Sequence, residues 1–306
     1  MNTRAVALIF LSPIIFISPR IACAQQFGDP EFNTRVEHPA YSKNLPRVLF
    51  DETHNNLYTA IAGYKAFADV ISNDGYHLVR NRKPFIKESL NTFKVLVIAN
   101  ALGAEDVDDE GADHPAFPEE EADIVRDWVR GGGSLLLLAD PAPFGSAAES
   151  LARRFGVEMS KGLTRDPANH DKNSSEESYL VYSRANNLLL DHPITQGRGD
   201  AEKINRVIAF SGQSLKGPNG SATFLKLSDT AVDLISGKDV SAAGRAEGIA
   251  LKFGKGRVVV LGEAVMLSAQ LAGSEKRPIG MNYAEVDNKQ LALNIMHWLS
   301  GLLKDR

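Results

Sequence analysis

Four side chains in this sequence are suited to moving protons, and each closely follows a short apolar run. Glu52 and His54 come after Arg47-Val48-Leu49-Phe50-Asp51, Asp140 after Ser134 to Ala139, and Glu263 after Val258-Val259-Val260-Leu261-Gly262. Two or more carboxylates and an imidazole meeting in one pocket would activate water as general acid and base, and the candidate reaction is hydrolysis of a small polar substrate. Asn55, Asn100, Gln213 and Asn282 are candidate ligand-binding residues, because amides beside such groups satisfy the hydroxyls of a bound molecule. Every candidate also has a plainer use. Asp140 can accept loop amides, Glu263 can cap the helix it opens, and Asn55 can serve a turn.

Other polar clusters offer less. Asp51-x-x-His54 has too few fixed partners for a metal site, and the acidic stretch Glu105 to Asp113 lacks the glycine and closing glutamate of a calcium loop. No metal and no cofactor is expected. Asp191-His192-Pro193-Ile194-Thr195 reads as a proline-fixed corner, with a catalytic Asp-His pair as the sharper alternative. A formal net charge of −4 gives no electrostatic case for nucleic acid.

The elements that must hold these residues alternate along the chain. Apolar runs at Arg47 to Asp51, Tyr76 to Arg80, Lys94 to Ala99 and Ser134 to Ala139 read as buried strands. Helical patterns separate them: Leu57 to Asn73, with Leu57, Ile61, Tyr64, Ala68 and Ile71 on one face, then Glu119 to Arg130 and Ser146 to Phe155. Continuous apolar strands between amphipathic helices imply a doubly wound, mainly parallel α/β sheet whose ligands bind at the strand carboxyl ends. Residues 160 to 187 are polar and read as an insertion or flap outside the core. Runs at Ile204 to Phe210, Thr223 to Leu227, Ala231 to Ile235, Gly248 to Phe253 and Arg257 to Leu261 suggest added C-terminal β-hairpins, one turning at Gly254-Lys255-Gly256. Residues 273 to 286 are either a lid or a surface connection. The final helix, Asp287 to Leu303, buries Leu291, Ile295, Trp298, Leu299 and Leu302 and is capped by Asp287.

Val48-Leu49-Phe50-Asp51-Glu52-Thr53-His54-Asn55-Asn56, Val95 to Asn100, Gly132-Gly133-Ser134 to Asp140, Asp191 to Thr195 and the ending Asp287 to Leu299 resemble the class I glutamine amidotransferase-like superfamily. The likeness is to its secreted branches, related to trehalose-utilisation-like proteins and to gliding-motility and intraflagellar-transport auxiliary domains. It covers nearly all of residues 46 to 303 and implies a flavodoxin-like fold. The superfamily's thiol enzymes carry a glycine-flanked cysteine on a tight strand-to-helix elbow. Here that position reads Leu138-Ala139-Asp140-Pro141-Ala142, which supplies neither cysteine nor serine. Cysteine glutaminase chemistry is therefore not expected.

The only cysteine is Cys23, within an N-terminal stretch that has Arg4, an apolar run from Ala5 to Ile17 and the small-residue signal Ala22-Cys23-Ala24. This reads as a signal peptide over residues 1–24, too short and too broken by Pro13 to be a membrane span. Lipidation of Cys23 is the alternative, weakened by Arg20 where such signals carry a leucine-like residue. Cleavage removes two arginines and no acid, moving the net charge from −4 to −6. The expected organisation is then a leader over 25–45 and one domain over 46–306, in the periplasm or outside the cell. Two classes of function follow: a secreted hydrolase-like protein that binds a small polar, carbohydrate-derived ligand at the strand rim, or a pseudoenzyme that serves as a binding or envelope-assembly module for a protein partner.

Overall fold

The computed structural model describes residues 26–304. Residues 1–24, read from the sequence as a signal peptide and including Cys23, lie outside the described residues.

A nine-stranded mixed sheet carries the molecule. Its strands are β1 (Arg47–Asp51), β2 (His77–Asn81), β3 (Val95–Ala99), β4 (Ser134–Leu138), β5 (Glu158–Met159), β6 (Leu215–Lys216), β7 (Ala222–Lys226), β8 (Ala246–Phe253) and β9 (Gly256–Leu261). The order is β2-β1-β3-β4-β9-β8-β6-β5, with β7 also paired to β8. The first five strands in this order are parallel, a flavodoxin-like 2-1-3-4 arrangement, and the other half is antiparallel. The sheet is thus evenly mixed rather than mainly parallel.

Alternation along each parallel strand sorts side chains to two faces. Val48, Phe50, Val95, Val97, Leu136, Leu138, Val259 and Leu261 join one core with Tyr64, Phe67, Ile71 and Trp298, from the side of α1 (Lys65–Asn73) and α6 (Asn288–Ser300). Leu49, Leu96, Ile98, Leu135, Leu137, Val258 and Val260 join the other with Val125, Val129 and Leu151, from α3 (Glu119–Gly131) and α4 (Phe144–Arg153), and the single-turn helices α2 (Lys87–Leu90) and α5 (Pro193–Gln196) lie in the connections. Because both faces are covered, all five residues of β3 and of β4 are buried, each large aliphatic contributing about 1.5–3 kcal/mol.

The tight turn between β8 and β9 has the geometry its glycines suggest. Gly254 adopts φ 59°, and Phe253 pairs with Gly256. Since β8 runs antiparallel to β9, its beginning lies at the same sheet end as the carboxyl termini of β4 and β9, and Gly262 N–H donates to Glu247 C=O at 2.8 Å.

Several expectations are corrected. The helix read from Leu57 begins only at Lys65, because Gly63 takes φ 71° and the chain before it bends through Thr59–Ala62 contacts. Leu57 and Ile61 are consequently exposed, at 49% and 60%. The 160–187 segment is no loose flap. It contains strands Leu163–Arg165 and Tyr179–Ser183, the latter paired with Arg206–Phe210, and it sends Leu180 and Tyr182 into the core. Within 273–286, Arg277–Gly280 pairs with Ala269–Ala272, which also takes the leader strand Gln26–Gly28 on its other edge. Asp287 does not cap its own helix. Its carboxylate instead accepts the backbone N–H groups of Asn205 and Arg206. His192 provides a structural corner: its ring accepts Ile194 N–H at 3.2 Å, and Thr195 Oγ1 accepts the His192 amide.

Candidate functional site at the strand rim

At the end of β1 the polar residues form ion-paired clamps. Asp51, completely buried, presents Oδ2 to His54 Nδ1 at 2.8 Å, and its Oδ1 accepts the Asn81 amide at 3.2 Å. The other imidazole nitrogen, Nε2, lies 3.2 Å from Glu121 Oε2 on the first turn of α3. The same oxygen accepts Phe85 N–H, and the ring packs at a tilt against both Phe85 and Phe117, with centroids 4.8 and 4.6 Å away. Burial works against the charged imidazolium, but hydrogen bonds and charge from Asp51 and Glu121 outweigh it and hold its pKa above the ordinary value. With both nitrogens engaged and only 6% of its surface exposed, His54 has no free edge for a substrate.

Glu52 is likewise consumed. It accepts Arg80 Nε at 2.8 Å on both oxygens and Ala60 N–H at 3.0 Å, with Arg82 at 3.6 Å. Asn55 is exposed in a left-handed conformation, φ 48°, the turn use open to an asparagine.

The carboxyl ends of β4 and β9 gather a second set. Asn100, buried at φ 47°, and Asp140 bind reciprocally: Asn100 Nδ2 donates to Asp140 Oδ2 at 2.7 Å, and Asp140 N–H donates to Asn100 Oδ1 at 2.9 Å. Asp140 Oδ1 accepts Ala264 N–H at 2.7 Å. Next to it Glu263, fully buried, accepts Val265 and Met266 N–H at 2.6 and 2.7 Å, which is the capping role open to it from the sequence. Gln213 clamps the strand end by donating to the carbonyls of Ala139 and Asp140 at 2.9 and 2.8 Å while accepting Lys161 N–H at 2.8 Å.

Glu247 completes this set and was not anticipated. Alone at the start of an apolar run, it carries no motif. It is fully buried, its Oε2 accepts the Tyr182 hydroxyl, and its Oε1 has no hydrogen-bond partner among the described residues. Burial drives its pKa up to about 8, helped by the charges of Asp233 and Asp140 and opposed by the Tyr182 hydrogen bond. Burial pushes Asp140 up to about 6 against its Asn100 and Ala264 donors, and holds Glu263 well above the ordinary carboxyl value, with Asp140 and Glu247 adding repulsion.

The structure therefore brings Asp140, Asn100, Gln213 and Glu263 together, keeps Glu52 and His54 in separate pairings at the β1 end, and places Asn282 elsewhere. The Asn282 amide ties Asp29 to Gln270 C=O, at 2.9 and 3.0 Å, beside the leader strand. Two cavities are formed away from all eight candidates. One of about 570 Å³ is lined by Phe93, Ile124, Trp128 and Gly131–Gly133, at the amino end of β4, and one of about 400 Å³ lies between residues 32–36 and Asn73. Among the described residues, no group of three or more His, Cys, Asp or Glu is placed to hold a metal ion. The elbow after β4 is the Asp140-Pro141 step read from the sequence, leading into α4 without a hydroxyl or thiol nucleophile.

Against known structures, the chain is similar to the mmIFT52 N-terminal domain at a TM-score of 0.60 and 14% identity, covering 83% of this chain and 97% of that one. It is similar at lower TM-scores to the cytoplasmic protein STM1381 of Salmonella typhimurium (0.47, 13% identity, 83% and 99% covered). It is also similar to a putative GMP synthase protein of Thermoplasma acidophilum (0.43, 9% identity, 83% and 96% covered). At this identity the first likeness establishes the fold alone. No protein-family model and no curated protein matches the sequence.

Proposed function

We propose that this chain is a non-catalytic interaction module, an amidotransferase-like scaffold whose rim is sealed by its own side chains and whose surface receives a protein partner. One observation carries the reading: every side chain at the strand ends that had a claim to acid–base chemistry is engaged by an internal partner. His54 uses both ring nitrogens, Glu52 is forked onto Arg80, Glu263 accepts two backbone amides, and Asp140 accepts a side-chain and a backbone donor. A general base needs an accessible lone pair within reach of water or substrate. The secreted location expected from the N-terminal segment fits an envelope partner.

The face offered to that partner is the bend between β1 and α1. Ile61 and Leu57 are among the most exposed large aliphatics, and the backbone of Ala60, the residue before Ile61, shares the Glu52 carboxylate with Arg80 and Arg82. An apolar centre rimmed by guanidinium groups is a composition that interfaces favour. The test incorporates a photo-crosslinking residue at position 61 and, as a control, at exposed Val240. A partner adduct specific to position 61 that is lost on Arg82→Glu supports the reading. Absence of any such adduct counts against the surface. Turnover of a glycoside or ester by the purified protein that falls at least a hundredfold in Asp140→Asn overturns the non-catalytic assignment.

A further inference from the structure

Three carboxyl groups occupy the ends of three neighbouring strands: Asp140 after β4, Glu263 after β9 and Glu247 at the start of β8. What faces them is uncharged or acidic. Glu247 meets the Tyr182 hydroxyl from strand Tyr179–Ser183 and the charges of Asp233 and Asp140. Asp233 is itself held by Thr164 and Ser214 hydroxyls at 2.6 Å. Glu263 meets two backbone amides, and Asp140 meets the Asn100 amide and Ala264 N–H, while the Tyr64 hydroxyl from the α1 side is turned to Ala264 C=O. The nearby cations are occupied elsewhere, Arg245 on Ser214 and Lys161 on Glu149. A buried carboxylate without a cation is far costlier than a buried carboxylic acid.

The turn 211–214 is wedged against this cluster. Gly212 backbone lies so close that a Cβ there would overlap the Glu247 carboxylate and crowd the Glu263 side chain. From the same turn, Gly212 C=O accepts Thr164 N–H at 2.8 Å, Gln213 N–H reaches Gly262 C=O at 2.8 Å, and the Gln213 side chain holds Lys161 and the β4 end.

We infer that the Asp140–Glu263–Glu247 cluster is a proton-held latch: with its carboxyls protonated the 211–214 turn seats against them, and proton loss drives the turn out and releases the 160–165 segment from the rim. A protonated Glu247 leaves Oε1 or Oε2 as a hydroxyl, and loss of its proton to solvent adds a charge near those of Asp233 and Asp140. The sign follows from linkage. Glu247 binds its proton more tightly in the closed form, so closure is fully favoured below about pH 4.5, the ordinary glutamate value, and weakens as pH rises through about 8.

Amide hydrogen exchange of Gln213, Thr164 and Lys161, corrected for intrinsic rates, tests it between pH 6 and pH 8. The wild type is expected to lose roughly tenfold in protection per pH unit for each linked proton, and Glu247→Gln to lose roughly tenfold less per unit. Equal slopes in both proteins, or protection that rises with pH, overturns the latch. Should Glu247→Gln fail to fold, carboxyl ¹³C titration of the wild type decides: a Glu247 midpoint near the ordinary 4.5 refutes it, and one near 8 supports it.

Discussion

At the end of β1, Glu52 and Asp51 meet Arg80, His54 and an asparagine. At the far side of the same rim, Asp140, Glu263 and Glu247 meet amides, a phenol and one another. Both sets are acids at strand ends, fully buried at Asp51, Glu247 and Glu263 and half-buried at Asp140, in the positions where doubly wound proteins usually bind ligands. The first neutralises its charge with opposite charge brought from β2 and the first loop. The second has no cation in contact among the described residues, and raised proton affinity does the same task. In both sets every acid has at least one internal partner, but the two differ in what breaks them. The charged set fails when a partner is removed, and the protonated set fails when the pH climbs.

The largest effect is expected at the charged end. His54→Leu strands the Asp51 and Glu121 carboxylates against Phe85 and Phe117, and a loss of about 3–5 kcal/mol in denaturant unfolding is expected. Because the imidazole's pKa is raised in the fold, its own contribution is complete below about 6.5 and fades as pH rises through the folded value, so the gap between wild type and variant narrows at alkaline pH. Glu52→Ala leaves the Ala60 N–H without its acceptor and costs about 1–3 kcal/mol in the same unfolding measurement. At the protonated end the sign reverses. Glu247→Gln keeps a neutral group in place, and its stability relative to the wild type is expected to rise by about 1.4 kcal/mol per pH unit between pH 5 and pH 8, so a difference that stays flat or falls over that range would erase the contrast between the two ends. Smallest is Ile61→Ala, on the exposed bend, where thermal unfolding should move by less than about 0.5 kcal/mol while crosslinking to the partner from a photo-reactive residue placed at Leu57 is lost.

The strand runs and the layered order were legible because parallel strands buried on both faces read as uninterrupted Val and Leu. The β8–β9 turn was legible because its glycines are spaced for it. Misreading the helix from Leu57 has a specific cause: Leu57, Ile61, Tyr64, Ala68 and Ile71 keep helical spacing, yet Gly63 adopts a left-handed conformation that ends the pattern. The rim residues were legible by type and position, Asp140 and Glu263 as strand-end acids and Gln213 as a reach into the rim. The amide-accepting uses of Asp140 and Glu263 were also open from the sequence, whereas the partners of Glu52, His54 and Glu247 were not, because Arg80, Glu121 and Tyr182 arrive from elements that are 28, 67 and 65 residues away from the groups they bind. Glu247 stayed hidden for the same reason, since a lone acid before an apolar run looks like an exposed strand edge until the antiparallel pairing turns it inward.

One sample decides between opposite-charge and proton compensation: an NMR titration of the wild-type protein following the His54 ring and the Glu247 carboxyl carbon together. The two-ended rim predicts that His54 stays protonated above its ordinary value near 6.5 and that Glu247 releases its proton only near pH 8. A Glu247 carboxyl already ionised at pH 6, or a His54 ring neutral there, would contradict it.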